Sequence, residues 1–541
     1  MDSMPNEILT QIFSNLQCEI PSHDSWEKPY LPLAKSGLPN DLRLVSLVCR
    51  KFRNVARPLM YRTVSMTSET ATRTSPQTVV RTNQTRDYGD LMDAFLRTLF
   101  AEPQLGLNIR HLRIDSWDTS MNVPGMVREL LESKKDISDV QKKLLTGWLA
   151  FPTDHLEDGV VLITLILSPK LRSVDLRTYT NDSTFSEYLS GIRKIENSVF
   201  RPRDPDPFAV ELGELDINEP ELASGAITTN DYSLAASSES DEEDTESILP
   251  DLKEIRRRFL SPRACGAISK FQNVLFNPKL ETLRLHGFMW TRFEINQKAR
   301  FSEISCYLKK LQLECCLVDH EALENILSRC KELRSLSMTL PDLRRVGFMG
   351  LNPNVNLKEM GNVLRTYGTN LETFELDTYD YSYFYHAKRP FGSLHMLESL
   401  RHLKISAGDI LELGDGTVNE EEEEVRDVFS APLKNNLPLS LESLYIVRTS
   451  RKVELRDSQL LESVREILRY ELFTKLRKVE VEISGGLLKE VSAPGWEATS
   501  RVNRIYSDSH GHSESEERVP QEVTIVVFDR REGATKHSSG N

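Results

Sequence analysis

The chain has 541 residues, 39% of them hydrophobic, which is enough for two to four domains or one long repeat array. Its formal charge of −13 is mostly local: six acids lie between Glu239 and Glu246 and five more are Glu420 to Glu424, leaving about −2 for the rest. That balance excludes a broad basic surface for nucleic acid, and seven cysteines without paired spacing point to reduced thiols in a cytoplasmic or nuclear setting.

The chain begins with an apolar stripe in "MPNEILTQIFSNL". Ile8, Leu9, Ile12, Phe13 and Leu16 recur at helical spacing, and Pro5 suits the start of a helix. Asp2 and Glu7, with no early Arg or Lys, argue against a secretory or mitochondrial leader. A second amphipathic stretch lies further on. Asp41 is placed to cap a helix in which Leu44, Leu47, Val48, Phe52 and Val55 share a side and which Pro58 ends. Short helices of this size bury little by themselves. They either cap a repeat array or offer apolar surface to a partner.

Together the two blocks resemble the F-box, whose usual form is Leu-Pro-x-Glu-(apolar)2-x-x-Ile-Phe-x-x-Leu, then Asp-Leu, then Val-Cys-(basic)-x-(aromatic)-x-x-(apolar)-Ala. The matching positions are Pro5, Glu7, Ile8, Leu9, Ile12, Phe13 and Leu16, then Asp41, Leu42, Val48, Cys49, Arg50, Phe52, Val55 and Ala56. Arg57 and Pro58, followed by "LMYRTV", resemble the exit of F-boxes in many proteins of filamentous fungi. Met4 stands where leucine is usual, and "QCEIPSHDSWEKPYLPLAKSGLPN" separates the blocks where the family has only a few residues. The resemblance implies a non-catalytic adaptor: the box docks the Skp adaptor of a cullin-RING ubiquitin ligase, and a second domain presents a protein substrate. The implied adaptor-binding residues are Pro5, Ile8, Leu9, Ile12, Phe13, Leu16, Leu42, Val48, Cys49 and Phe52, with Pro5, Ile8 and Leu9 facing outward.

Beyond residue 100 one pattern, apolar-x-x-apolar-x-apolar, keeps returning. It occurs as "IRHLRI" at Ile109, "LRSVDL" at Leu171, "LETLRL" at Leu280, "LKKLQL" at Leu308 and "LRSLSM" at Leu333. It continues as "LETFEL" at Leu371, "LRHLKI" at Leu400, "LESLYI" at Leu441 and "LRKVEV" at Leu476. The last two apolar positions alternate as a strand requires, and helical spacing precedes most units. Leu308, Leu311, Leu313, Cys316 and Val318 match the leucine-rich-repeat signature position for position, which makes Cys316 a small buried turn residue. Such units must stack, and the expected fold is α/β: a helical F-box followed by an irregular leucine-rich-repeat solenoid, a curved parallel sheet with outer helices.

The expected boundaries are 1–66 for the F-box, with an insert over about 17–40, and 67–200 for the first part of the repeats. A disordered acidic insert covers 201–251, the main array 252–484 with an acidic loop over about 414–427, and a mostly disordered tail 485–541 with a strand at 522–529. In the insert Ser238 and Ser240 each have an acid three residues on, the pattern of an acid-directed phosphorylation site or simply of a solubilising segment. "VVLITLIL" from Val160 is too short to span a membrane and reads as a buried segment. The basic run "KEIRRRFLSPR" reads as a solvated helix face rather than a localisation signal.

No phosphate loop, nucleophile elbow, H-E-x-x-H or C-x-x-C occurs, so no catalytic residue, metal or cofactor is assigned; His510 and His512 sit in a polar tail. Substrate contact falls to residues alternating with the repeat leucines: Arg284, His286, Gln312, Glu375, Asp377, Lys404 and Tyr445, together with Tyr383 and Tyr385. Their signs are mixed and predict no substrate charge. Two readings stay open: a substrate receptor of an SCF-type ubiquitin ligase, or a scaffold whose box works outside a ligase or only as a repeat cap. Nucleic acid and membrane are not expected partners.

Overall fold

The computed structural model describes residues 4–15, 39–66, 88–114, 122–133, 137–150, 156–178, 249–259, 266–267, 274–275, 277, 279–290, 306–341, 355–378, 391–410, 432–447, 457–483, 493–505 and 521–531. Leu16, most of the 17–40 insert, residues 201–248 with Ser238 and Ser240, the 414–427 loop, Tyr383, Tyr385, His510 and His512 lie outside them.

The N-terminal unit is three helices: α1 (Asn6–Ser14), α2 (Pro39–Val48) and α3 (Arg50–Met60). Its small core of Leu9, Phe13, Leu42, Phe52, Val55 and Ala56 is separate from the main one. The second amphipathic stretch is not one helix capped by Asp41. Helix α2 starts at Pro39, so Asp41 lies in its first turn, and the chain turns extended at Cys49 (φ −158°, ψ 168°) before α3 begins. Pro58 sits inside α3 rather than ending it.

Strand β1 (Thr63–Met66) leaves α3 directly, and α4 (Tyr88–Ala101) and α5 (Pro103–Gly106) lead to β2 (His111–Ile114). Three helices, α6 (Val123–Ser133), α7 (Asp139–Ala150) and α8 (Leu156–Leu167), precede β3 (Ser173–Thr178). The "VVLITLIL" run forms most of α8, buried from Val160 to Leu167 as its all-apolar circumference demands. Then come β4 (Glu254–Phe259), β5 (Gly266–Ala267), β6 (Thr282–His286), β7 (Phe288–Trp290), β8 (Lys310–Glu314) and β9 (Leu317–Val318). Helix α9 (His320–Arg329), capped by the Asp319 side chain accepting from Ala322 N at 2.8 Å, precedes β10 (Ser335–Thr339). Helix α10 (Leu357–Tyr367), capped by Asn356, precedes β11 (Thr373–Asp377). The chain closes with β12 (His402–Ser406), α11 (Ala407–Ile410), β13 (Ser443–Val447), α12 (Asp457–Arg469), β14 (Lys478–Ile483), β15 (Trp496–Ile505) and β16 (Gln521–Arg530).

Thirteen strands form one open sheet in the order β1-β2-β3-β4-β6-β8-β10-β11-β12-β13-β14-β16-β15. Every pairing from β1 to β14 is parallel; β16 and β15 join antiparallel. A second parallel sheet joins β5, β7 and β9. The fold is therefore mixed α/β with a large parallel sheet and no closed barrel among the described residues. All three apolar positions of each repeated unit are at most 3% exposed, from Ile109, Leu112 and Ile114 to Leu476, Val479 and Val481. Each buried Leu, Ile or Val of this kind stabilises by roughly 1.5–3 kcal/mol relative to exposure, which is what stacking supplies and a lone unit lacks.

The structure also corrects the reading of the basic run. "KEIRRRF" is not a solvated helix face but strand β4, inside the sheet between β3 and β6. It follows the unit spacing, with Leu252, Ile255 and Arg257 in the three inward positions, and Arg257 is fully buried with its guanidinium 5.1 Å from the Phe288 ring centre. Within 485–541 the described residues are 493–505 and 521–531. The segment "EVTIVVFD" forms most of β16, pairing with β14 from Lys478↔Asp529 to Ile483↔Thr524, and β15 forms a ten-residue ladder outside it. Trp496 anchors β15, its indole N–H donating to the Leu468 carbonyl at 3.2 Å.

Candidate docking helices and sheet face

Helix α1 divides its apolar residues between two sides. Leu9 (2% exposed) and Phe13, four residues apart, enter the small core, where the Phe13 and Phe52 rings meet edge to face at 5.2 Å. Ile8 and Ile12, also four apart, stay out at 44% and 46% exposed. Leu9 therefore faces inward, against the expectation from sequence. Its neighbour Ile8 faces out, and Pro5 is exposed as well.

The extended residue Cys49 re-phases the next helix. Its Sγ accepts from Phe52 N at 3.4 Å, capping α3, while the Lys51 ammonium donates to the Met4 carbonyl at 2.6 Å and ties α3 to the start of α1. Because the helical phase is broken there, Phe52 and Val55 turn inward while Leu44, Leu47 and Val48 point out, at 61%, 65% and 68% exposed. Leu44, Leu47 and Val48, at i, i+3 and i+4, thus form an exposed apolar stripe rather than a core stripe. Residues 1–67 match the F-box-like family model. The chain carries an F-box-like domain. No curated protein matches the chain closely enough to stand as a relative.

F-box domains in general bind the Skp adaptor, and the match supports, at family level, an adaptor of an SCF-type ubiquitin ligase acting through protein–protein contact. Within the F-box-like domain, Leu9, Phe13, Leu42 and Phe52 are interior, Cys49 is a half-buried cap, and Ile8, Ile12 and Val48 are on the surface. Sequence pattern alone hides Leu44 and Leu47 as surface residues, and the Val-Cys junction is the signal that locates them. The domain does not stand apart from the sheet: β1, inside the matched residues, pairs with β2, and Arg57 meets Glu102 at 2.7 Å. Among the described residues no helix is long and apolar enough to cross a membrane.

The second candidate surface is the polar face of the sheet, opposite the repeat leucines. Register places Arg284, Gln312, Ser337, Glu375, Lys404 and Tyr445 in one continuous row, so five of the expected contact residues are brought side by side. His286 lies beside Glu314 in the next row, which Asp377 continues two strands on, beside Thr339. Arg284 and Gln312 are buried by their neighbours, whereas Glu375, Lys404 and Tyr445 are half-buried. The Tyr445 hydroxyl donates to Glu482 at 2.6 Å, and the Lys404 ammonium lies over the Tyr445 ring; burial, then Glu482, raises the Tyr445 pKa. Burial and the Arg258 charge push His286 down to about 4, so it is neutral at physiological pH.

With β2 to β4 included, the charges on this face are unevenly distributed along the sheet. On β2, β3, β4 and β6 this face carries Arg113, Arg177, Arg256, Arg258 and Arg284 against Asp175 and Glu254. On β8 and β10 to β14 it carries Lys310, Lys404 and Lys478 against Glu314, Glu375, Asp377, Glu480 and Glu482. The first sector holds an excess of three positive charges and the second an excess of two negative ones. Cys316, expected as a buried turn residue, is buried with its thiol on the Leu285 and Glu314 carbonyls.

Proposed function

We propose that this protein is the substrate-recognition subunit of an SCF-type ubiquitin ligase: the F-box-like domain docks the Skp adaptor, and the sheet, read as an irregular leucine-rich-repeat solenoid, binds a protein substrate on its polar face. The observation that carries the reading is the uncovered apolar set Ile8, Ile12, Leu44, Leu47 and Val48 on a domain that matches the F-box-like family. Water gains nothing from leaving those side chains exposed, so a protein partner is their natural cover. Pro5 extends this surface, while Leu9, Phe13, Leu42 and Phe52 serve it from inside by fixing the helices. The stacked buried triplets and the parallel order support the repeat assignment. No chemistry is asked of the chain itself.

A second reading, a scaffold that uses the box only to cap the repeats, is favoured by β1 being both the exit of the F-box-like domain and the first strand of the sheet. Capping needs the interior of the domain and makes no use of its exposed stripe. Recovery of the Skp adaptor and cullin from cell extract therefore separates the two. The intact chain recovers both, and a chain lacking Met1 to Met66 recovers neither. Ile8→Asp and Leu47→Asp, which leave the core untouched, lose the adaptor while remaining folded. Equal recovery by all four would leave only the cap.

A further inference from the structure

We propose that β15, the last strand of the sheet, pairs antiparallel with β15 of a second copy of the chain, making the protein a two-fold dimer joined edge to edge. The inference stands apart from the ligase reading, since it uses neither the F-box-like domain nor the polar face as a binding surface. The two ends of the sheet differ. At one end β1 is four residues long and follows directly on α3 of the F-box-like domain. At the other β15 is ten residues long, and among the described residues no strand pairs with its outer edge. Its register with β16 runs without a bulge from Trp496↔Arg530 to Ile505↔Gln521, and "WEATSRVNRI" contains no proline, glycine or lysine. Those are the usual devices that stop an open edge from adding a strand.

Backbone bonding fixes which groups face out. The Arg531 N–H donates to the Gly495 carbonyl at 3.0 Å, and these two residues stand one step beyond the pair Trp496↔Arg530. In an antiparallel ladder the residues that bond inward alternate with those that do not. Gly495, Glu497, Thr499 and Arg501 therefore bond toward β16, and Ala498, Ser500 and Val502 turn their N–H and C=O groups outward. Every residue from Glu497 to Val502 is exposed. The backbone of this edge accepts any strand, so the side chains decide the occupant.

Those side chains complement themselves. A two-fold axis normal to the sheet keeps the leucine side of one copy continuous with that of the other. Centred on Thr499, this pairing sets Glu497 opposite Arg501 of the second copy and, by symmetry, Arg501 opposite Glu497. Both ion pairs fall where no ladder hydrogen bond forms and side chains approach most closely, with Cα atoms about 4.5 Å apart. Ala498 then meets Ser500, and Val502, 61% exposed, meets Trp496 on the leucine side. A centre at Arg501 opposes two arginines, and a centre at Ala498 or Ser500 leaves Glu497 facing Thr499 or Asn503, so charge selects one register. Within its own sheet Glu497 stands opposite a like charge, Asp529, with Lys478 one strand further. Arg501 reaches Glu480 at 3.1 Å and keeps its side chain 55% exposed, within reach of a second carboxylate. This self-complementarity singles out a second copy over a strand from a substrate. The contact is isologous and uses the long edge of both copies, so assembly stops at two. The polar faces lie on the same side, with the F-box-like domains at opposite ends of twice thirteen strands.

The test is sedimentation of the full chain, without adaptor, over a concentration range on the order of a hundredfold. The intact protein passes from monomer to dimer as concentration rises. Ser500→Pro removes an outward donor and no ladder bond, so it weakens the dimer roughly tenfold or more while the chain stays folded by circular dichroism. Glu497→Arg weakens it similarly by opposing like charges, and Glu497→Arg combined with Arg501→Glu restores it by exchanging the partners. Leu47→Asp, in the exposed stripe of the F-box-like domain, leaves the dimer unchanged. If Ser500→Pro unfolds, the charge exchange decides alone. A monomer at every concentration overturns the proposal, whether a substrate strand or another segment of the same chain takes the edge. A dimer untouched by Glu497→Arg, not restored by the exchange, or lost in Leu47→Asp overturns it as well. Adaptor recovery is read separately: a monomer that recovers the adaptor loses only this inference, and a dimer that recovers none loses only the ligase.

Discussion

Asp409 is a buried carboxyl that accepts a hydrogen bond from the Thr378 hydroxyl at 2.7 Å, joining the end of β11 to the short helix after β12. Burial is the main cause that raises its pKa from 3.8 to about 7, and Asp377 adds to it. Below 3.8 the folded and unfolded chains both hold the proton. Between 3.8 and about 7 only the folded chain does, so stability falls as pH rises through that window, and above it the loss is complete. Asp409→Asn keeps an acceptor for Thr378 and removes the ionisation. Its thermal midpoint should exceed the parent's at pH 8, with the gap closing near pH 4; an equal gap at both would contradict the burial argument. Two turns make an opposite pair. Gly287 has φ +75° and an added Cβ would sit 2.6 Å from the Phe259 carbonyl oxygen, while Cys315, at the corresponding turn one unit later, adopts φ 49° with a side chain. Gly287→Ala should cost about 1–3 kcal/mol and Cys315→Gly should cost nothing or stabilise slightly, measured by denaturant unfolding. At this scale the leucine triplets were readable because apolar residues at fixed offsets have one favourable place. Arg257 was not, since its buried slot beside Phe288 reads in sequence as surface.

The elements explain where pattern reading succeeds and where it breaks. Repeated strands were legible wherever the third inward position is apolar, and β4 escaped because that position is arginine. The two-helix break at Cys49 escaped because a single 3.6-residue phase fits Leu44 to Val55, and only an extended residue rotates Leu44 and Leu47 away from Phe52. Strand β15 escaped because its apolar content is low; its place is set by pairing along all of β16 and by Trp496. The parallel pairing of β3 and β4, from Ser173↔Glu254 to Thr178↔Phe259, joins strands separated by a long polar stretch of sequence. Their register is set by inward Val174, Leu176 and Ile255, none of which belongs to that stretch. Deleting Asp204 to Ser247 should accordingly leave the thermal midpoint within a few degrees, because loop length enters closure entropy only logarithmically. Loss of a single cooperative transition in the shortened chain would show that the stretch contributes to the core.

On the scale of the whole molecule, one end of the sheet is fused to a domain with uncovered apolar helices, and the sheet face runs from basic near that domain to acidic beyond β6. The existence of an F-box-like unit and of a repeated strand scaffold was legible in the sequence. The division of the opening stripe into Leu9 with Phe13 inside and Ile8 with Ile12 outside was not, because both pairs satisfy the same spacing and only the position of α3 chooses between them. The arginines of β2 to β4 were missed for a different reason: their strands precede the regular units, and β4 was not recognised as a strand. The central claim is that the exposed stripe docks the Skp adaptor, and calorimetric titration of purified adaptor into the full chain tests it most directly. The intact protein should bind with one-to-one stoichiometry, and Leu47→Asp, folded by circular dichroism, should bind on the order of a hundredfold more weakly, since a charge buried without a partner in an apolar interface costs several kcal/mol. Equal affinity for the two proteins, or no heat with either, would contradict the account.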